Sequence, residues 1–192
     1  MPQKTIEYHS LKAYEGQIAA GTYNIVRGTL LELYAGQDKV IPYGRAVVRE
    51  AKTSATAGDP ATSGGGSSSS EIIMRSLVLP SKAGEAFMGI TVIDEMYGMY
   101  EKNLINNKER GFLPQTPVGI LTFGDMWVWA EGKVRPGEGV SFRHTTDDPE
   151  AKPVGRFSNV ADGDHDELPR AIWVTEQKKA TGGLAILNLG RF

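Results

Sequence analysis

GILTFGDMWVWAEGKVRPGEGVSFR, residues 119–143, is the stretch on which the fold turns. Taken two residues at a time, Leu121, Phe123, Trp127 and Trp129 fall on one face of an extended chain, and Ile120, Met126, Val128 and Ala130 on the other. An indole left in water forfeits about 1.5–3 kcal/mol, so a strand with large apolar groups on both faces has to be covered on both sides and belongs at the centre of the molecule. One cover can be the protein's own second sheet, and the other an arm, a long loop or a partner subunit. Glu131-Gly132 ends the run, Pro136-Gly137-Glu138-Gly139 makes a turn between Val134 and Val140, and Val140 to Arg143 resumes the alternation, which predicts a hairpin.

Further strands are predicted on either side of this one. Val40 to Val48 reads as a strand with Pro42 at an edge or bulge. Glu71 to Leu79 is a strand stopped by Pro80, and Ala86 to Ile93 is another, with Ser81 to Gly84 short enough for a hairpin-like turn. Ala171 to Thr175 and Leu184 to Leu189 form a last pair. Between strands lie two long excursions. Residues 52–70, KTSATAGDPATSGGGSSSS, carry no large apolar group and read as a flexible insertion. In residues 94–116 the spacing of Met96, Tyr97, Met99, Tyr100, Leu104 and Ile105 predicts a helical turn or two that Gly98 weakens.

The fold class that follows is all-β, a jelly-roll-like sandwich or barrel of about seven or eight strands with long loops. Residues 1–39 form an N-terminal arm with the first strand or strands, and residues 40–192 a single β domain containing the 52–70 insertion. In the arm, Ile6, Tyr8, Leu11, Tyr14, Ile18 and Tyr23 are spaced apolar anchors in a polar background. Such a segment buries too little to fold alone, so it lies across a surface, its own body's or a neighbour's, or it supplies an ordinary first strand.

Composition narrows the function. A formal net charge of -2 gives no electrostatic reason to expect nucleic acid. The chain has no cysteine, which excludes disulfides, thiolate metal sites and cysteine nucleophiles. No run of about 18 apolar residues and no signal-like N-terminus is present, so no membrane is expected and synthesis in a cytosol-like compartment is.

The chemical motifs are sparse. Asp162-Gly163-Asp164-His165-Asp166 begins like a calcium loop, but Glu167 stands where glycine is needed and Trp173 where glutamate is needed. It therefore reads as an acidic surface turn within the acidic loop 145–167. His9, His144 and His165 lack zinc spacing. Asp125 and Glu131 beside the tryptophans are the pair that glycoside chemistry could use, and Trp127 and Trp129 could form a sugar-stacking platform. No nucleophile elbow or phosphate-binding loop occurs. Neither an enzymatic role nor a cofactor is expected.

The ordered pieces Pro42 to Val48 (PYGRAVV), Val78 to Ser81 (VLPS), Phe87 to Thr91 (FMGIT), Pro117 to Leu121 (PVGIL), Trp127 to Gly132 (WVWAEG), Val134 to Gly137 (VRPG) and Gly182 to Ala185 (GGLA) together resemble the structural cement, or head decoration, proteins of tailed bacteriophages. The resemblance runs from about residue 16 to the C-terminus. It implies a β-rich protein on the outer surface of the capsid, made in the host cytoplasm, whose partners are the major capsid protein and itself, as a dimer or trimer. It implies neither catalysis nor a cofactor. On this reading the capsid contacts run through Ile6, Tyr8, Leu11, Tyr14, Ile18 and Tyr23. The alternative is a carbohydrate- or surface-binding β module using Trp127 and Trp129.

Overall fold

The computed structural model describes residues 13–19, 23–30, 41–49, 76–93, 111–112 and 117–190. The 52–70 insertion lies outside these, as do 94–110 and 113–116 of the second excursion, which contributes only Gly111–Phe112. The described residues hold eleven strands and no helix. They are β1 (Asn24–Leu30), β2 (Ile41–Pro42), β3 (Ala46–Arg49), β4 (Ser76–Val78), β5 (Phe87–Thr91), β6 (Gly111–Phe112), β7 (Pro117–Ala130), β8 (Gly139–Arg143), β9 (Phe157–Ser158), β10 (His165–Trp173) and β11 (Gly183–Leu189).

The 14-residue β7 is the axis of the molecule. Its first half pairs with β1 and with β5, and β1–β4–β3–β5 closes through it into a five-stranded ring. The second half pairs with β11, and β11–β10–β8–β9 returns to it through the parallel pair Ala130↔Phe157. Two small rings therefore share one strand. Among the described strands, closure leaves few bare sheet edges open to pairing with another chain.

The alternating pattern read along β7 holds in each half but changes phase between them. Asn24 pairs with Phe123 and the next residue, Ile25, with Leu121, so Thr122 is an extra residue in the ladder, and Gly124 follows with a φ of 120°. A bulge of this kind turns a strand's faces over by one position. Accordingly Leu121 shares a core with Met126, Val128 and Ala130, whereas Ile120 lies in a separate cluster with Tyr43, Val47, Leu77, Phe112 and Val118. The larger core continues through Val140, Phe142, Leu168, Trp173, Leu187 and Leu189, all essentially removed from water. The short β2–β6 pair covers the smaller one, where Tyr43 and Phe112 meet edge to face with centroids 5.0 Å apart.

Two predicted hairpins are corrected. The turn at Pro136 to Gly139 exists, with Glu138 N donating to Arg135 O at 3.2 Å, but β7 and β8 do not pair. Val134 bridges to Gln177 and β9 lies between the two strands. The Ser81 to Gly84 link likewise does not join a paired β4 and β5, because both pair with β3: Val48 faces Val78 on one side and Phe87 on the other. Local turn chemistry sets the reversal of the chain, and longer-range packing chooses the partner. The final pair is as predicted, with Ala171↔Leu189 and Trp173↔Leu187 in register, although β10 begins earlier, at His165, inside the acidic loop.

Candidate interaction surface

Ring closure sends alternate residues of β7, β11 and β10 inward and leaves the others outside. Trp127 stands beside Ile186, Trp129 beside Leu184, and Ile172 beside Asn188. Val174 N donates to Ile186 O at 2.8 Å and extends the row. Ile172 and Val174 are 47% and 40% exposed, while Trp127, Trp129, Leu184 and Ile186 are half-buried. Apolar side chains continuous over three strands make an interaction-type face, which single scattered ones do not.

The indoles of this face differ from an open stacking platform. Arg156 Cζ lies 5.2 Å from the centroid of the Trp129 ring, a cation–π arrangement that occupies one face of it. The backbone of Gly182 comes so close that a Cβ there would lie 2.8 Å from Trp129 Nε1. Asp125 and Glu131 are not brought together either. They sit at opposite ends of a regular strand segment, about 20 Å apart at the rise of an extended chain, against the 5–9.5 Å or so that glycosidase carboxylates need. Asp125 instead accepts a hydrogen bond from Asn188 Nδ2 on the facing strand.

A second exposed region comes from the N-terminal side. Residues 13–19 run along the edge of β7: Gly16 N donates to Trp127 O at 2.8 Å, Trp127 N to Gln17 O at 2.8 Å, and Ala19 N to Asp125 O at 2.9 Å. Ile18 packs on the large core. Tyr14 and Tyr23, on either side of this anchored stretch, are 51% and 52% exposed, and Ile25 is 37% exposed. Ile6, Tyr8 and Leu11 lie outside the described residues.

Glu131, Arg143 and His165 form a buried ionic cluster that spacing along the chain does not announce. Cross-strand register puts His165 opposite Arg143, and Glu131 reaches both from the end of β7. Arg143 Nε donates to Glu131 Oε1 at 2.8 Å and its Nη2 to Oε2 at 2.7 Å, a two-pronged grip. His165 Nε2 is 3.1 Å from Glu131 Oε2, and Nδ1 is 2.6 Å from Asp162 Oδ1. Burial pushes the Glu131 carboxyl up, but the hydrogen bonds from His165 and Arg143 outweigh it and bring the pKa down to about 2. Burial likewise opposes the charged form of His165, and its bonds to Glu131 and Asp162 outweigh that, raising its pKa. Asp162 is held below the ordinary carboxylate range chiefly by His165. The Glu131 hydrogen bond raises Arg143 further.

The three aspartates of the calcium-like run point to three different partners: Asp162 to His165, Asp164 to Arg143 at 3.4 Å, and Asp166 to the Gly84 amide at 2.9 Å. They do not converge on a common centre. His144, just past β8, and His165, at the start of β10, are both buried.

Comparison with known proteins places this architecture. The family described as structural cement protein (E217 gp24/Pam3 gp6) matches residues 2–190. A chain from the capsid of Myoviridae phage XM1 has a similar structure, with a TM-score of 0.58 at 14% sequence identity over 95% of this chain and 91% of that one. No curated protein sequence matches.

Proposed function

This chain belongs to the structural cement proteins of phages, and from that premise we propose that it binds the outer surface of the major capsid protein lattice and stabilises the mature head. What supports a clamping mode is the presence of exposed apolar residues on two different elements of the paired body. One set is Tyr14 and Tyr23, flanking a segment hydrogen-bonded to β7, and the other is Ile172 and Val174 on the outer face of the second ring. A clamp needs two such regions, one for each capsid subunit it joins. In this proposal Ile6, Tyr8 and Leu11 add to the capsid contacts of the first region, and Ile18 holds the segment to the body. With the ring strands paired to one another, contact runs through side-chain faces in preference to strand addition.

Each copy needs to contribute only a modest interface, because repetition over a symmetric shell multiplies it. Self-association as a dimer or trimer at a symmetry axis fits the same logic. The test is binding to capsids that lack the protein. Tyr14→Ser with Tyr23→Ser, and separately Ile172→Lys with Val174→Lys, each weaken capsid binding while the melting temperature of the free protein stays unchanged. Undiminished binding by both double variants would exclude the clamp.

A further inference from the structure

The side chain of His165 is 2% exposed, and each of its ring nitrogens faces a carboxylate oxygen: Nε2 faces Glu131 and Nδ1 faces Asp162. A neutral imidazole has one N–H and one lone pair, so it satisfies one of these contacts and sets a lone pair against a carboxylate at the other. Only the imidazolium donates to both. The two partners are not equally committed. Glu131 is gripped by Arg143 through several short bonds and is 12% exposed, whereas Asp162 sits on the turn before β10 and is 50% exposed, free to exchange its bond for water.

Asp162 also organises that turn. Its Oδ1 accepts from the Asp164 amide at 3.0 Å as well as facing His165. On either side the chain is pinned independently, by Ser141 Oγ donating to Val160 O at 2.5 Å and by the His144 amide donating to Asp164 O at 2.9 Å. Between these pins the turn is closed by the His165 amide donating to Asp162 O at 3.2 Å and by the contacts of the Asp162 carboxylate, and only the carboxylate contacts respond to the charge on the ring. The charged groups facing His165 are Glu131 from the end of β7, Arg143 from β8 and Asp162 from the turn, with Asp164 acting through Arg143. Three carboxylates thus meet one permanent cation, which leaves room for a second positive charge on the histidine.

We propose that His165 is a proton-operated latch on the turn at residues 162–164: doubly protonated at the ring it holds Asp162 down, and on losing a proton as the medium turns alkaline it keeps Glu131 and releases the turn. The released proton comes from Nδ1, so the Nε2–H donated to Glu131 survives and the ring stays in place. The raised pKa of His165 gives the direction. Stabilisation by this contact is complete below the ordinary histidine value of about 6.5 and is lost as pH rises through the higher folded value. The inference rests on the geometry of the cluster and is independent of the capsid-binding proposal.

The test is a pH titration of the full chain by nitrogen NMR of the histidine rings, with amide exchange at Asp164 followed in parallel. The latch predicts that both His165 ring nitrogens are protonated at mildly acidic pH and that its midpoint lies above that of an unstructured histidine. It also predicts that protection of the Asp164 amide falls about tenfold across the same transition. Asp162→Asn, at a half-exposed turn position, lowers the His165 midpoint and removes the step in Asp164 protection. A single-tautomer neutral ring at mildly acidic pH, an unshifted midpoint in Asp162→Asn, or constant Asp164 protection through the His165 transition would each overturn it.

Discussion

Gly16 and Gly44 meet backbone to backbone: a Cβ on Gly16 would lie 2.8 Å from the Gly44 amide nitrogen, and one on Gly44 would lie 2.7 Å from the amide nitrogen of Gly16. Both residues adopt positive φ, 84° and 70°. This contact brings the N-terminal segment down on the turn between β2 and β3, where Gly16 O accepts from Ile93 N and Gly44 N donates to Thr91 O.

Substituting alanine at either glycine therefore meets two penalties, a left-handed backbone and a contact with immovable main chain. Each change is expected to destabilise the protein by about 1–3 kcal/mol, read from the midpoint of chemical denaturation. Because both disturb one contact, the double variant costs less than the sum of the two.

Arg156→Ala uncovers the occupied face of Trp129. The expected result is increased acrylamide quenching of tryptophan fluorescence, with a stability loss of only about 0.5–2 kcal/mol from the cation–π contact. Unchanged quenching would show that the guanidinium does not shield the ring.

How much of this was legible in the sequence depends on range. That β7 is central could be read from Trp127, Val128 and Trp129, because two-sided apolar character is a local property. The phase change at Thr122 could not, since it arises from how Asn24 and Ile25 pair with a strand far along the chain. The partner of the Pro136 to Gly139 turn was equally hidden, because Val134 is drawn to Gln177. The ionic cluster was missed although Glu131 and His165 were each singled out, for separate reasons. Their junction depends on the register of His165 with Arg143, which alternation alone does not set. The ordered short motifs carried the family, because order over most of a chain is more specific than any one piece.

On the acid side, Glu131 contributes to stability. Its folded pKa, lowered from 4.5 to about 2, means that its contribution is present above the unfolded value and is lost as pH falls through the folded one. Denaturation measured between these two values is expected to show a stability loss of up to about 3 kcal/mol. Glu131→Gln flattens that slope and lowers stability at neutral pH, because Arg143 and His165 lose their carboxylate. An unaltered acid slope in this variant would assign the acid sensitivity to other carboxylates.

Deleting residues 1–12 is expected to leave the melting temperature of the isolated protein nearly unchanged, since the bonds from Gly16, Gln17 and Ala19 to β7 remain. The same deletion weakens capsid attachment, because Ile6, Tyr8 and Leu11 are removed. Sedimentation of the truncated protein with cement-free capsids checks this against the full chain.

The central claim is that the protein is a stoichiometric outer component of the phage head. The most direct measurement is quantitative mass spectrometry of density-purified particles, comparing peptides of this chain with those of the major capsid protein. The account predicts a ratio near a simple fraction, hundreds of copies per head, falling when the particles are treated to strip their outer layer without opening the shell. Absence of the chain from purified particles, or a trace amount unrelated to the shell protein, would contradict it.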